Sequence, residues 1–183
     1  MKTEALERYL NSFGKQIVKQ AVANLSAADK KGALSNSIDF FVIKKGKSLT
    51  IRFKMAKYGQ FVDKGVSGTN KKRSFKDYKG KVISSPYKFG TGSSRVGKAK
   101  GGMSGIMAKW VKKKGFQWRD KKGRFMSRKS ISFLIARSIK KKGIQGISFF
   151  QNPLMLGMKT YNQKFSTALQ QDILDNLRKQ KIA

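Results

Sequence analysis

The chain has 183 residues, of which 42 are Lys or Arg and nine are Asp or Glu, giving a net charge of +33 with no His and no Cys. Hydrophobic residues make up 39% of it, with 13 Phe, so a modest core can form and a disordered basic tail is excluded. Without Cys and His there are no disulfides and no ligands for zinc or most transition metals, and no apolar run approaches the ~18–20 residues that span a bilayer.

Residues 3–28 predict an amphipathic helix, because Leu6, Leu10, Phe13, Ile17, Ala21 and Leu25 recur every three or four positions. Glu4 and Glu7 suit its positive end and Gly32 is its stop. The polar start Met1-Lys2-Thr3-Glu4 has no secretory core, so the chain is expected to stay soluble in the cytoplasm that makes it. Strict alternation then predicts antiparallel strands at 36–44 and 48–56 joined at Lys45-Gly46. Ile38, Phe40 and Val42 should share a buried face with Leu49, Ile51 and Phe53 beneath the first helix.

Tyr58-Gly59-Gln60-Phe61-Val62-Asp63-Lys64-Gly65 is a short ordered element, and beyond it the character changes. Residues 64–150 hold 25 basic residues against Asp77 and Asp120 alone, a net +23, whereas 1–63 carry +7 and 151–183 carry +3. A field this one-sided repels itself and attracts polyanions. Residues 66–105 are rich in Gly, Ser and Lys and read as a long loop that adds nothing to the core. Ser104 to Lys114 predicts a short helix, and Phe116 to Met126 a second hairpin turning at Lys122-Gly123. A helix over 129–142 presents Ile131, Leu134, Ile135, Ser138 and Ile139, and closes on Lys140-Lys141-Lys142 before Gly143. Pro153 opens a last helix with apolar positions Leu154, Met158, Tyr161, Phe165, Leu169, Ile173 and Leu177. The fold class is therefore α+β: one domain with a basic insertion at about 66–128.

Catalytic chemistry finds little to stand on. Glu4 and Glu7 are the only Glu, and Asp172 and Asp175 read as a solvated helix face beside Asn176, Arg178 and Lys179. Neither a two-metal carboxylate cluster nor a glycosidase pair is visible. Gly92 and Gly97 enclose four residues before Lys98, but Ala99 stands where a phosphate loop needs Ser or Thr. The chain is expected not to be an enzyme and to need no cofactor. Instead, basic residues interleave with aromatics, and the candidate polyanion contacts are Lys71, Lys72, Arg73, Lys112, Lys113, Lys114, Lys121, Lys122 and Arg124. Such cations neutralise phosphates without reading sequence. Phe116, Trp118 and Phe125 either fill the underside of their hairpin, the simpler expectation, or stack on unpaired bases.

Three segments in order, 58–65, Phe133 to Ile144 and Phe149-Phe150-Gln151-Asn152-Pro153-Leu154, resemble the tail-completion or head–tail connector (neck) proteins of tailed bacteriophages. The resemblance covers roughly residues 1–65 and 129–183. It implies a structural virion protein at the head–tail junction, forming a homo-oligomeric ring around the channel for packaged DNA. Its partners would be portal, neck or tail proteins and DNA without sequence preference, with no catalytic residues and no membrane. The alternative is a sequence-nonspecific nucleic-acid-binding protein of ribosomal or nucleoid type.

Overall fold

The computed structural model describes residues 3–28, 32–46, 48–90 and 102–181; Gly92, Gly97 and Lys98 lie outside them. The architecture is α+β, with an N-terminal helix, two small antiparallel hairpins and C-terminal helices. The chain divides into two compact units. The first comprises Met1–Asp63, Phe75–Ile83 and Ile147–Ala183, and the second Lys64–Ser74 and Ser84–Gly146.

In the first unit, helix α1 (Glu4–Ala27) buries all six residues that its spacing marks, Leu6 through Leu25. Thr3 precedes it but makes no side-chain cap. The Asp172 carboxylate, from the last helix α5 (Gln151–Lys181), caps it instead, accepting the Ala5 and Leu6 N–H groups at 2.8 and 2.9 Å. This corrects the reading of Asp172 as solvated. A carboxylate that takes two orphan N–H groups at the positive end of a helix is stable when buried, and Asp172 is 3% exposed.

Strands β1 (Asp39–Lys45) and β2 (Ser48–Lys54) pair antiparallel, with Phe40 opposite Phe53 and Val42 opposite Ile51. The expected face is thus assembled in the expected register, while residues 35–37 form a 3-10 turn rather than the start of the strand. Gly14 of α1 leaves room for the Phe40 ring, which a Cβ there would overlap. Phe53 meets Phe150 edge-on at 5.2 Å between centroids. Phe53 is only half-buried, so Phe53→Ala should cost about 2 kcal/mol, below the ~3–5 of a fully buried Phe. Denaturant unfolding measures this, and a cost under ~0.5 kcal/mol would mean that the face is not core.

Helix α2 (Gly59–Lys64) carries the second key carboxylate of this unit. Asp63 is 2% exposed. Its side chain accepts the N–H groups of Phe150 (2.9 Å) and Gln151 (3.4 Å), and its carbonyl accepts that of Ser148 (2.9 Å). A negative charge thereby sits at the positive start of α5, and Ser148 is drawn into the left-handed region at φ 50°. Two segments far apart in sequence, 58–63 and 148–151, are one structural joint.

A hairpin of β3 (Ser74–Lys76) and β4 (Val82–Ser84) interrupts the stretch expected to be loop. Its turn is closed by Asp77, whose carboxylate accepts the Lys79 and Lys81 N–H groups at 2.9 and 2.8 Å. Phe75 is buried, so residues 68–104 do contribute to a core.

In the second unit, α3 (Gly102–Lys114) packs against α4 (Arg128–Lys142), burying Val111 from one and Ile131, Ser132 and Ala136 from the other. This second unit runs to Gly146 and takes in α4. Ser127 caps α4 by accepting the Ser130 N–H, and Gly143 (φ 72°) ends it. Residues 66–68 then cross 143–144 backbone to backbone. The Val66 and Ile144 amides exchange two hydrogen bonds of 2.8 Å, and a Cβ at Gly68 would overlap the Lys141 carbonyl. Only glycine allows this approach. Among the described residues no helix is long and apolar enough to cross a membrane.

Candidate nucleic-acid interface

The second unit carries the excess charge, and the structure sorts its nine candidate cations into two groups. Seven point to solvent without an ion pair among the described residues: Lys71, Lys72, Lys112, Lys113, Lys114, Lys121 and Lys122. Lys112 to Lys114 form the last turn of α3, and Lys121 and Lys122 the tip of the segment that links α3 to α4. The other two are engaged. Arg73 donates through Nε to the Lys142 carbonyl (2.8 Å) and through Nη1 to Gln145 (3.2 Å), steadying the negative end of α4. Arg124 pairs with Asp120 at 3.1 Å. Both are better read as scaffold than as free phosphate contacts.

The connecting segment is the predicted hairpin in reduced form, with a single antiparallel bridge between Arg119 and Phe125. Met126 donates its N–H to the Trp118 carbonyl and Asp120 to that of Arg124, each at 2.8 Å, while Gly123 turns the chain at φ 77°. Asp120 organises the tip. Its carboxylate accepts the N–H groups of Arg124 and Lys122, and these bonds, led by that from Arg124 and joined by the Arg124 guanidinium, outweigh the opposing cost of desolvation and hold its pKa below the usual carboxylate range. A depressed folded pKa contributes stability at neutral pH that is lost as pH falls through it. Trp118 emission should therefore stay constant from about pH 8 to pH 5 and change only as pH falls below ~4. Asp120→Asn should abolish that acid transition; its persistence would assign the transition to another group.

The aromatics of this segment do not fill its underside. Phe116 is 50% exposed, Trp118 57% and Phe125 63%, and Trp110 on α3 is 41% exposed. They border a groove of three cavities along α4. The first, about 280 Å³, joins Lys112 and Arg128 to Phe116 and Phe125. The second, about 390 Å³, lies between Trp110, Phe116 and Trp118 above Ile131 and Ile135. The third, about 410 Å³, continues past Trp118 and Arg119 to Leu134 and Ile139. Neighbouring cavities share Phe116 and Ile131, then Trp118 and Ile135, so the three follow one another along α4. Arg119 spans Phe125 at 4.2 Å from the ring centroid, and Trp110 and Phe116 lie 5.1 Å apart.

Basic–aromatic clustering does not single out Arg128, yet it lines the same cavity as Lys112. The sequence does hold a signal for it. Arg128 and Lys129 open α4, with no acidic residue in that turn, so cations sit where the helix dipole disfavours them. A charge placed against the helix that carries it points to a use outside that helix. Among the described residues no three Asp or Glu come close enough to hold a metal ion. Comparison of the chain with family models, curated proteins and solved structures gives no match.

Proposed function

We propose that this chain is a structural subunit of the head–tail junction of a tailed bacteriophage, forming a ring around the DNA channel with its second unit toward the phosphates. The observation that carries the reading is the concentration of +23 in residues 64–150, with seven candidate lysines solvated and unpaired among the described residues. Repeated around a ring, that charge becomes a positive collar that holds DNA without reading its sequence. The segments that resemble connector proteins support the same reading. Residues 58–63 and 148–151 meet at Asp63, so their pattern has a structural cause in this chain.

A ring also needs a contact surface. Beyond the reach of α1, helix α5 leaves Ile173, Leu174 and Leu177 between 42% and 53% exposed, an apolar patch of the kind that a neighbouring subunit covers. Electron microscopy of the purified protein, across a range of concentration and ionic strength, tests the reading. Closed rings with a central channel are expected. A protein that stays monomeric while binding DNA would replace the connector by the nucleoid or ribosomal type of binder.

A further inference from the structure

The groove along α4 combines two features that rarely share one surface. It is lined by the apolar Ile131 and Ile135 and, along its length, by the cations Lys112, Arg128 and Arg119. Four aromatic rings stand between 41% and 63% exposed within residues 110–125. Exposing this much aromatic surface is unfavourable unless something covers it. A second copy of the same face is disfavoured, because each copy brings the +23 of residues 64–150 against the other. The occupant must therefore carry negative charge together with flat apolar faces. Duplex DNA supplies the charge but keeps its base faces stacked inside. A single strand supplies both.

We infer that the groove is a binding site for single-stranded nucleic acid, extending the DNA-facing role of this unit from phosphates to bases. Trp110, Phe116 and Trp118 stack on unpaired bases, while Lys112 and Arg128 neutralise the flanking phosphates. Stacking on aromatics tolerates any base, because every base has a π-face. The site thus adds strand-state selectivity, not sequence selectivity, to a unit that otherwise senses only phosphate charge.

Trp110 and Trp118 are the only two tryptophans in the chain, so the intrinsic tryptophan emission of the full-length protein reports on this groove alone. The test titrates it with oligo-dT of ~16 nucleotides, with an abasic strand of the same length and charge, and with poly-glutamate. Oligo-dT should quench the emission and bind at least about tenfold more tightly than the abasic strand, since each stacked base is worth ~1–3 kcal/mol. Trp118→Leu, which keeps an apolar side chain, should lose most of that preference, and Trp118→Phe should keep it. Trp110→Leu serves as the second variant if the first fails to fold by circular dichroism. Equal binding of the two strands without quenching would overturn the site while leaving phosphate binding intact. Quenching by poly-glutamate but not by oligo-dT would give the groove to an acidic protein, and emission that follows protein concentration alone would give it to a second copy; either overturns the inference. If neither strand binds even at low salt, the DNA-facing reading of the whole unit fails with it.

Discussion

Replacing Asp63 by Ala should destabilise the protein by roughly 3 kcal/mol, the largest loss expected from any single polar substitution here. Asp63 is buried, and its side chain accepts the Phe150 and Gln151 N–H groups at the start of α5. Truncation leaves both donors without that acceptor in a dry site, at ~1–3 kcal/mol for a fully buried one. It also removes a negative charge from the positive end of a 31-residue helix, a further ~0.3–1 kcal/mol. Asp63→Asn separates the two contributions. The amide oxygen can still accept from Phe150, so the loss should shrink to about 1 kcal/mol. Denaturant melts of both variants, compared at constant m-value, measure this. If Ala and Asn cost the same, the charge at the helix start matters more than the hydrogen bonds, and the joint has been misread.

That joint also shows where sequence reasoning stops. The core face of α1 and the register of β1–β2 were legible because their patterns repeat locally. A 3.6-residue period over six turns, or a 2-residue period over two strands, leaves little choice of buried face. Asp63 and Asp172 repeat nothing. Their partners lie 87 and more than 160 residues away, and a lone carboxylate in sequence looks solvated until the helix end that needs it is placed beside it. The β3–β4 hairpin is not legible in the sequence for a related reason. Three-residue strands offer too short an alternation to read, and Val82 and Ile83 are exposed, so what closes the hairpin is the local turn around Asp77. The crossing of residues 66–68 over 143–144 demands glycine at Gly68 and Gly143, a requirement that exists only once both backbones are in place. In the interface, exposed lysine runs were legible from charge alone. The diversion of Arg73 to the end of α4 was not, because a helix terminus competes for a guanidinium as well as a phosphate does.

Changing Lys112, Lys113 and Lys114 together to Gln should weaken duplex DNA binding by up to ~500-fold at 0.1 M salt if all three meet phosphates. Each duplex phosphate contact contributes about 0.9 to the slope of log affinity against log salt, hence ~8-fold at 0.1 M relative to 1 M. The slope itself should fall by up to ~2.7, and the loss should be the same for every DNA sequence, because phosphate contacts carry no base information. Stability should barely move. The three side chains are exposed and unpaired among the described residues, and removing like charges from a +33 chain relieves repulsion. The one opposing effect is the loss of cations at the negative end of α3, worth a few tenths of a kcal/mol each at an exposed site. Salt-titrated binding and a thermal melt of the same mutant therefore test the functional and structural roles independently. Should the slope stay at its original value while the mutant fails to join the particle, the lysines grip acidic neighbouring proteins and not DNA. Should slope, assembly and stability all stay unchanged, the three lysines only solvate a helix end, and the positive collar has to be built from the lysines at 71–72 and 121–122.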